Sequence, residues 1–271
     1  MTAVLSESQV ESYAEWGCLF PLQAMTPEEA AGYRSTLEAF EAEYGDRASD
    51  VLRSKSHLAL TWVDELIRHP AILDVVEGIL GPDIVCWGSS FFIKNPYDPR
   101  YIAWHQDAPF ANIPDGGELL TAWIALAPSK VANGCLNVVP GTQTERVEHA
   151  YTGDASNMLS QGQEIAVEVD EADAVAIELE PGQFSLHHQF IFHGSGPSKS
   201  DERRIGLAVR YMKPFPRSED ATAEPAMIVR GEDRYGAFEP EPRPKADMAP
   251  EAVQYLENQL RNRHGQRYRK D

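Results

Sequence analysis

From residue 83 onward, the chain is a succession of short apolar or aromatic segments bounded by glycine, proline, asparagine or aspartate. Segments of this length, with such breakers between them, are typical of β-strands joined by turns. The clearest segments lie at 83–95, 118–128, 135–141, 173–182, 183–188 and 203–212. Because no helical segments alternate regularly with them, the pattern disfavours a doubly wound sheet and predicts a β-sandwich or jelly roll.

Helix signals are concentrated in the first eighty residues. The sequence SESQ at 6–9 is a capping box, and TPEE at 26–29 is a second one with proline at the first helical position. The second helix is expected to run to about Tyr44, and a third helix is expected to begin at Pro70 and to end at a Gly-Pro pair. One more helix is expected to begin at Pro250.

These signals together predict one domain over residues 1–271. Residues 1–82 are expected to form a helical buttress, residues 83–215 the β core, and residues 216–271 a C-terminal extension that runs over the surface. Hydrophobic residues make up 42% of the chain, which is enough for a substantial core. The predicted fold class is therefore mainly β with flanking α-helices.

The charge balance excludes several classes of partner. Lys plus Arg total 24 against 42 Asp plus Glu, so the formal net charge is -18. An acidic surface repels nucleic-acid phosphates and anionic lipids, so neither nucleic acid nor a membrane is an expected partner. Three cysteines without metal spacing, a start without a secretory signal and no apolar run of membrane-spanning length predict a cytoplasmic protein. The oligomeric state stays open.

The stretch YIAWHQDAPF at 101–110 places His105 and Asp107 two residues apart in an otherwise apolar or turn-forming setting. On a strand, both side chains would point to the same side. About ninety residues later, His193 ends another apolar segment. Two imidazoles and one carboxylate on neighbouring strands can occupy one face of a metal ion and leave its other positions open. This arrangement favours non-haem Fe(II) and dioxygen chemistry.

Arg204 lies eleven residues after His193, on a strand that is expected to return beside it. A guanidinium at this position could hold the far carboxylate of a bound oxo-acid with two parallel hydrogen bonds. The hydroxyl of Ser195, two residues after His193, could reach the same carboxylate. The sequence therefore predicts a metal centre with an anion-binding group beside it.

Neighbouring residues leave alternatives open. His187 and His188 compete with His193 as ligands, but they are expected to pack or hydrogen-bond close to the site. Arg203 would take the place of Arg204 if the strand slipped by one residue, because such a slip turns every side chain to the opposite face.

Three further positions have two interpretations each. Lys94 either reaches solvent or points into the cavity near the oxo-acid. Asn137 is polar within an apolar run and is expected to contact substrate in the pocket, with a solvent-facing strand position as the alternative. Phe110 either forms an aromatic wall beside the metal and the substrate or packs in the core.

The spaced combination of WHQD, TAWIAL, NGCLNVVPGT, GQFSLHH and HGSGPSKSDERRIGLAVRY resembles the phytanoyl-CoA dioxygenase family. The resemblance extends over about residues 55–215 and implies a double-stranded β-helix core of the jelly-roll, cupin-like type. It implies that His105, Asp107 and His193 are the catalytic iron ligands.

The same resemblance implies that Arg204 and Ser195 bind the co-substrate 2-oxoglutarate, with Thr121 and Trp123 lining its pocket. Lys94 is a further candidate for this pocket on the basis of its strand position alone. Gln143 stands where the family commonly has histidine, so a changed substrate rim is expected there.

The activity that the resemblance implies is that of an oxidoreductase. An Fe(II)- and 2-oxoglutarate-dependent dioxygenase would use O2 to hydroxylate a small molecule and would release succinate and CO2. Halogenases of the family have a small residue in place of the carboxylate ligand, so Asp107 makes hydroxylation the expected outcome. The substrate is open among amines, amino acids, phosphonates, natural products and acyl thioesters.

Two alternative functions belong to other classes. A non-catalytic member that binds a metabolite or a metal would show a broken ligand set or lack the arginine, and neither departure is seen in the sequence. A zinc-dependent hydrolase could use the same ligands with a bound water, but it would give Arg204 no role. Oxygen-dependent succinate release separates the hydrolase from the dioxygenase.

Overall fold

The computed structural model describes residues 5–110, 117–159, 162–216 and 223–267. The helices are α1 (Glu7–Trp16), α2 (Pro27–Tyr44), α3 (Asp46–Arg53), α4 (Thr61–Leu66), α5 (Pro70–Leu80) and α6 (Pro250–Arg267). The strands are β1 (Cys18–Gln23), β2 (Ile84–Lys94), β3 (Ile102–His105), β4 (Leu119–Ala125), β5 (Leu136–Val139), β6 (His149–Tyr151), β7 (Gln163–Ile165), β8 (Val175–Ile177), β9 (Gln183–His188), β10 (Phe192–Ser195), β11 (Arg204–Met212), β12 (Glu224–Arg230) and β13 (Phe238–Pro240). None of these helices is both long and apolar enough to cross a membrane.

Two sheets form the centre of the protein. The larger has the strand order β1-β9-β4-β11-β2-β12-β13, and the smaller has the order β3-β10-β5-β8. Neighbouring strands run antiparallel except β12 and β13, which are parallel. Strands that are distant in sequence lie side by side, as a jelly roll requires. The predicted mainly β fold with flanking helices is confirmed, and the two facing sheets are consistent with the predicted double-stranded β-helix core.

The two faces of the larger sheet carry different cores. On β4, Leu120 and Ile124 pack into the core beneath the helices, whereas Trp123 and Ala125 pack into a second core that also contains Leu136 of the smaller sheet. This split follows from the period-2 alternation of strand side chains. Polar residues on the second face are therefore enclosed between the sheets, and Thr121, a predicted site residue, lies there.

The helix signals proved accurate. Ser6 and Thr26 both cap their helices through complete capping boxes. Helix α2 ends at Tyr44, and α5 begins at Pro70 and ends directly before a glycine. Helix α6 begins at Pro250, as predicted.

Both flanking regions also contribute strands to the larger sheet, which the sequence did not predict. Strand β1 pairs with β9, and β12 pairs with β2. Strand β1 contains Pro21, which an edge strand tolerates but which weakens the sequence signal for a strand. Strand β12 is surrounded by charged residues and prolines, so its local sequence predicts a loop. It is nevertheless part of the sheet, because it pairs with β2.

Candidate metal centre and anion site

His105 is the last residue of β3, and Asp107 lies in the bend that follows rather than on the strand. The intervening Gln106 is fully buried and holds this bend in place. Its side-chain amide donates to the carbonyl of Glu145 at 2.8 Å and to that of Phe190 at 2.7 Å. The bend, and not strand periodicity, therefore brings His105 and Asp107 together.

His193 lies on β10 directly opposite His105 in the ladder between β10 and β3. The centroids of the two imidazole rings are 3.9 Å apart. One ligand atom from each of His105, Asp107 and His193 lies within 4.8 Å of the other two, and all three residues are buried. The sequence-predicted ligands thus converge in a set that suits a single metal ion.

Backbone carbonyls fix which nitrogen of each histidine faces this set. His105 Nδ1 lies 2.9 Å from the carbonyl oxygen of Ala103, and His193 Nδ1 lies 3.0 Å from that of Ile191. Because a carbonyl only accepts, each Nδ1 carries the proton and each Nε2 the lone pair. Burial lowers the pKa of His105 to about 4 and holds the pKa of His193 well below its ordinary value. Both rings are neutral at neutral pH, which is the form that binds a metal.

Three polar side chains from adjacent strands of the larger sheet surround Asp107. Thr121 on β4 is the register partner of both Arg210 on β11 and His187 on β9. Arg210 donates from Nε and Nη2 to Oδ1 at 3.2 Å each, and the Thr121 hydroxyl donates to Oδ2 at 2.5 Å. His187 Nε2 lies 3.4 Å from Oδ2. We call Arg210, Thr121 and His187 the carboxylate cradle.

The cradle keeps Asp107 ionised. Burial alone would raise the pKa of Asp107, but the charge of Arg210, followed by the neighbouring histidines, outweighs burial and holds that pKa well below its usual value. An ionised carboxylate is the form that binds a metal cation, so the cradle prepares Asp107 for this role.

A second buried group lies on the same interior face of β11. Arg204 is directly opposite Lys94 of β2, and the two residues are 1% and 0% exposed. Lys94 Nζ and Arg204 Nη1 donate to the hydroxyl oxygen of Ser195 at 2.6 and 2.9 Å. Lys94 also donates to the carbonyl of Gly196, and Arg204 to that of Gly134. We call Lys94 and Arg204 the cation pair.

No carboxylate of the described residues forms an ion pair with the cation pair. The acid nearest to it in electrostatic effect, Asp98, instead pairs with Arg100 at 2.5 Å. Burial and then the charge of Arg204 lower the pKa of Lys94 to about 7, and burial lowers the pKa of Arg204 to about 10. Arg204 Nε is buried and finds no hydrogen-bond partner among the described residues. Two buried cations without a counter-charge are unfavourable unless a ligand supplies one.

Two glycines make the surroundings of the cation pair possible. A Cβ at Gly206 would lie 1.9 Å from the indole ring of Trp123, over which the guanidinium carbon of Arg204 stands 5.5 Å from the ring centroid. Gly134 has a φ of +73°, and a Cβ there would lie 3.0 Å from Lys94 Nζ. Larger residues at either position would displace the cations or the ring beneath them.

The metal-ligand set and one member of the cation pair, Arg204, line one inner cavity. Its lining includes the three predicted metal ligands and the predicted oxo-acid residues Ser195, Arg204, Thr121 and Trp123. A larger groove of about 1040 Å³ adjoins the cavity, and Phe92 and Arg210 line both. Buried imidazoles and a carboxylate suit a ferrous ion. The orphaned Arg204 Nε and the missing counter-charge suit one carboxylate of an oxo-acid that chelates the metal, so the residues fit both groups.

The structure does not bring every predicted residue to the cavity. Asn137 faces away from it, because its neighbours on β5 both point into the core between the sheets. Gln143 donates from its side-chain amide to the carbonyls of Ala14 and Glu15 at 3.0 Å each, so it anchors the C-terminal end of α1. Neither residue lines the cavity or the groove, which gives no support to the predicted substrate contacts. The side chain of Phe110 lies outside the described residues.

The open alternatives are resolved by burial and pairing. Lys94 is fully buried and donates to Ser195 and Gly196, so it does not reach solvent, but it is not among the residues that line the cavity. Arg203 faces away from the cavity and forms an ion pair with Glu41 at 2.7 Å, so it does not replace Arg204. His188 Nδ1 accepts from the backbone N–H of Phe190 at 3.2 Å, outside the cavity lining.

Arg210 is the principal residue that sequence reasoning missed. It lies six residues after Arg204 on β11, and this even spacing places both arginines on the same face of the strand. His187 lies close to the site, as expected from the sequence. Gln106 carried no comparable signal, because its role depends on contacts with distant segments.

Two facing sheets enclose a histidine–aspartate–histidine set that could hold a metal ion and a buried cation pair beside it, an arrangement typical of jelly-roll proteins with a two-histidine, one-carboxylate metal centre. A sequence model described as phytanoyl-CoA dioxygenase (PhyH) matches residues 2–206, which contain the three ligands and Arg204. The chain belongs to the phytanoyl-CoA dioxygenase family.

Curated relatives match about half of the chain. It is 25% identical over 154 residues to a probable phytanoyl-CoA dioxygenase of Caenorhabditis elegans, covering 54% of this chain and 49% of that protein. It is 28% identical over 158 residues to the peroxisomal phytanoyl-CoA dioxygenase of Bos taurus, covering 55% and 46%. The chain thus spans about half the length of the curated relatives that it matches.

Solved structures match over much more of the chain. The non-heme monooxygenase ThoJ, in its apo form, is similar with a TM-score of 0.80 and 35% identity over 95% of this chain and 96% of that one. The structure of CytC3 with Fe(II) and alpha-ketoglutarate is similar with a TM-score of 0.65 and 23% identity, over 91% and 98% of the two chains. The likeness to CytC3 concerns the fold.

Proposed function

We propose that the chain is an Fe(II)- and 2-oxoglutarate-dependent dioxygenase that hydroxylates a small-molecule substrate and releases succinate and CO2. Membership of the phytanoyl-CoA dioxygenase family supports the class of enzyme. The observation that carries the proposal is the buried cation pair: Arg204 lines the same cavity as the metal-ligand set, Lys94 is linked to it through Ser195, and neither forms an ion pair with an acidic residue among those described. A zinc-dependent hydrolase would have no use for these cations.

In this proposal His105, Asp107 and His193 hold the ferrous ion through two Nε2 atoms and a carboxylate oxygen. The backbone carbonyls behind the imidazoles keep the Nε2 lone pairs directed at the ion, and Arg210 keeps the carboxylate ionised. When bound, iron and 2-oxoglutarate together supply the activation of dioxygen, which no side chain of the protein can perform. The burial of all three ligands excludes bulk water from the reacting centre.

The far carboxylate of 2-oxoglutarate binds the cation pair in this proposal. Arg204 offers its unpartnered Nε–H, Lys94 adds a second positive charge, and Ser195 lies between them. Charge-assisted hydrogen bonds of this kind are roughly twice as strong as neutral ones. Trp123 beneath the guanidinium fixes the direction in which the donors point.

The groove is the proposed route of the substrate, because Phe92 and Arg210 line both the groove and the inner cavity. The whole chain has a net charge of -18, but the described residues that line the groove do not share this excess of acidic side chains. The arginines there outnumber the acidic residues by six to four: Arg47, Arg53, Arg100, Arg203, Arg210 and Arg261 against Glu41, Asp50, Asp154 and Glu257. Two of these arginines are paired with acids outside the lining, Arg100 with Asp98 and Arg210 with Asp107, so the charges around the groove are balanced and do not by themselves select the charge of the substrate.

A small molecule is the proposed partner rather than nucleic acid or a membrane surface, because of the strongly negative net charge. The cytoplasm is the proposed location. The three cysteines are buried free thiols, which suits a reducing compartment.

Succinate release that requires Fe(II), 2-oxoglutarate and O2 tests the proposal. We expect Asp107→Ala to abolish it and Arg204→Leu to raise the KM for 2-oxoglutarate by about two orders of magnitude, since a hydrogen-bonded charge pair is lost. Arg230→Leu is the control, because Arg230 pairs with Asp74 at 2.7 Å and with Glu77 at 2.6 Å and lines neither the cavity nor the groove. Wild-type turnover by Asp107→Ala, or succinate release without iron, would contradict the proposal. Substrate-triggered consumption of 2-oxoglutarate, measured over amines, amino acids, phosphonates, natural products and acyl thioesters, then identifies the substrate class.

A further inference from the structure

His187 is a buried histidine of the inner cavity to which the proposed function gives no task at the metal. It is 2% exposed, and its side chain lines the cavity. Neither ring nitrogen has a hydrogen-bond partner among the described residues. A neutral imidazole always carries one N–H and one lone pair, and it is unfavourable to bury both without a partner. The missing partner is therefore expected to be a bound group.

The position of His187 indicates where that group lies. Its Nε2 is 3.4 Å from Asp107 Oδ2, an oxygen that already accepts the Thr121 hydroxyl at 2.5 Å. Its ring centroid is 4.6 Å from that of His193. His187 thus stands beside two of the three metal ligands. It does not belong to the set itself, whose mutually close ligand atoms come from His105, Asp107 and His193.

The order of strands separates His187 from the cation pair. In the larger sheet β9 and β4 precede β11 and β2, so His187 approaches the cavity from one side and Lys94 and Arg204 from the other. The cation pair accounts for one carboxylate of 2-oxoglutarate. The other carboxylate would chelate the metal. His187 is a buried donor beside the metal ligands, and the acceptor close to its Nε2, Asp107 Oδ2 at 3.4 Å, already accepts a short hydrogen bond from Thr121.

Building on the proposed function, we propose that His187 donates a hydrogen bond to the metal-chelating carboxylate of 2-oxoglutarate. His187 is then a residue that contacts the co-substrate directly and orients its chelating end. The cation pair and His187 together hold both ends of one dicarboxylate.

His188 provides a matched control on the same strand. Its ring lies outside the cavity lining, its Nδ1 accepts from the backbone of Phe190 at 3.2 Å, and it packs near Tyr13 with ring centroids 6.4 Å apart. His188→Leu therefore removes an imidazole from β9 without touching the cavity. His187→Leu removes the proposed donor, and His187→Gln keeps an amide N–H close to the position of the imidazole Nε2.

Anaerobic titrations with Fe(II) and 2-oxoglutarate test the proposal without turnover. We expect His187→Leu to leave the Kd for Fe(II) alone within about twofold, because Arg210 and Thr121 still donate to Asp107 and Arg210 is the main group that keeps it ionised. The Kd for 2-oxoglutarate should rise roughly tenfold or more, the loss of one hydrogen bond to a charged group. The charge-transfer absorption of the iron–oxo-acid complex should also shift, because that hydrogen bond acts on the chelating carboxylate. His187→Gln should restore part of the affinity, and His188→Leu should change neither quantity.

The outcomes separate this inference from the function on which it rests. A wild-type protein without iron-dependent 2-oxoglutarate binding contradicts the proposed function and this inference together. If the wild type binds both ligands and His187→Leu does too, with unchanged affinity and absorption, only the role of His187 is overturned. A loss of Fe(II) affinity in His187→Leu, or an equal effect of His188→Leu, overturns it as well.

Discussion

Two groups of buried charged side chains lie on opposite faces of strand β2 and differ in how their charges are balanced. On the face beneath the helices, Lys55 pairs with Glu241 and also donates to the carbonyl of Pro225 at 2.8 Å. On the face between the sheets, Lys94 and Arg204 stand side by side, and no described acidic residue forms an ion pair with them. We call the first group the closed pair and keep the name cation pair for the second.

The charges of the closed pair are balanced by its own two residues. Its side chains are fully buried, and His57 joins it with Nε2 at 3.4 Å from Glu241 Oε2 and Nδ1 at 2.8 Å from the hydroxyl of Ser89. Burial would raise the pKa of Glu241, but the hydrogen bond with His57 and the charge of Lys55 hold that pKa below its usual value. Burial also lowers the pKa of His57, so the group consists of one cation, one anion and a neutral ring.

The difference between the two groups separates a structural role from a binding role. Charges that are balanced within the chain connect segments of the fold, here the turn at 55–57 with the segment around Glu241. Charges that the chain leaves unbalanced are tolerated when a ligand completes them. The comparison thus predicts that substitutions in the closed pair act on stability and that substitutions in the cation pair act on ligand binding.

The largest expected effect is on the free energy of unfolding. Glu241→Gln leaves the Lys55 ammonium buried without its anion, and we expect a loss of about 3 to 5 kcal/mol, measured by urea denaturation. The double variant Lys55→Met with Glu241→Leu removes both charges and should lose much less. Arg204→Met should stay within about 1 kcal/mol of wild type or exceed it, because an unpaired buried cation is removed. Equal losses for Glu241→Gln and Arg204→Met would break the comparison.

A smaller effect is expected on stabilisation by ligand. With Mn(II) as an inert metal, 2-oxoglutarate at a hundred times its Kd should stabilise the wild type by about 2.7 kcal/mol, seen as a raised Tm. Arg204→Met should lose this gain at the same concentration, because the carboxylate loses its donors.

Glu241→Gln provides the opposite case. It should unfold at a lower temperature than wild type but retain the gain from 2-oxoglutarate, since the closed pair does not touch the cavity. Loss of the gain in Glu241→Gln, or its persistence in Arg204→Met, would show that the two groups do not divide structure from binding.

The two groups also differ in how far the sequence could predict them. His105 and Asp107 are close in sequence. His193 and Arg204 lie on two strands whose pairing can be predicted from apolar runs separated by turn residues. These contacts follow from local spacing and strand pairing, so the structure brings together the residues expected at the metal centre.

The closed pair could not be predicted in this way. Lys55 and Glu241 are 186 residues apart, and Glu241 follows a segment whose prolines and charges read as a surface extension. Its burial depends on β12 and β13 joining the larger sheet, a tertiary contact without a local signal. Asn137 could not be placed from the sequence either, because its position on a strand does not tell which face of β5 lines the cavity.

The smallest expected effect is on the pH dependence of the affinity for 2-oxoglutarate. Lys94 has a pKa near 7 through burial and the charge of Arg204, with Asp98 and Cys135 opposing and Arg100 adding to the shift. An anion bound beside Lys94 favours its charged form and raises this pKa in the complex. Below pH 7 the ammonium is protonated with and without ligand, so the 2-oxoglutarate affinity should not change there with protonation of Lys94. Above pH 7 binding takes up a proton, so the affinity should fall by at most tenfold for each pH unit.

Calorimetric titration of 2-oxoglutarate with Mn(II) at pH 8, in two buffers of different ionisation enthalpy, measures this proton uptake. We expect an uptake approaching one proton in the wild type and none attributable to this site in Lys94→Met. Lys213→Met is the control, because its ammonium lies on the surface 3.4 Å from Glu118 and should leave the uptake unchanged. The closed pair carries its own counter-charge and should contribute nothing, so the same uptake in Glu241→Gln as in wild type is expected. An uptake that survives in Lys94→Met would place the titrating group elsewhere and remove Lys94 from the anion site.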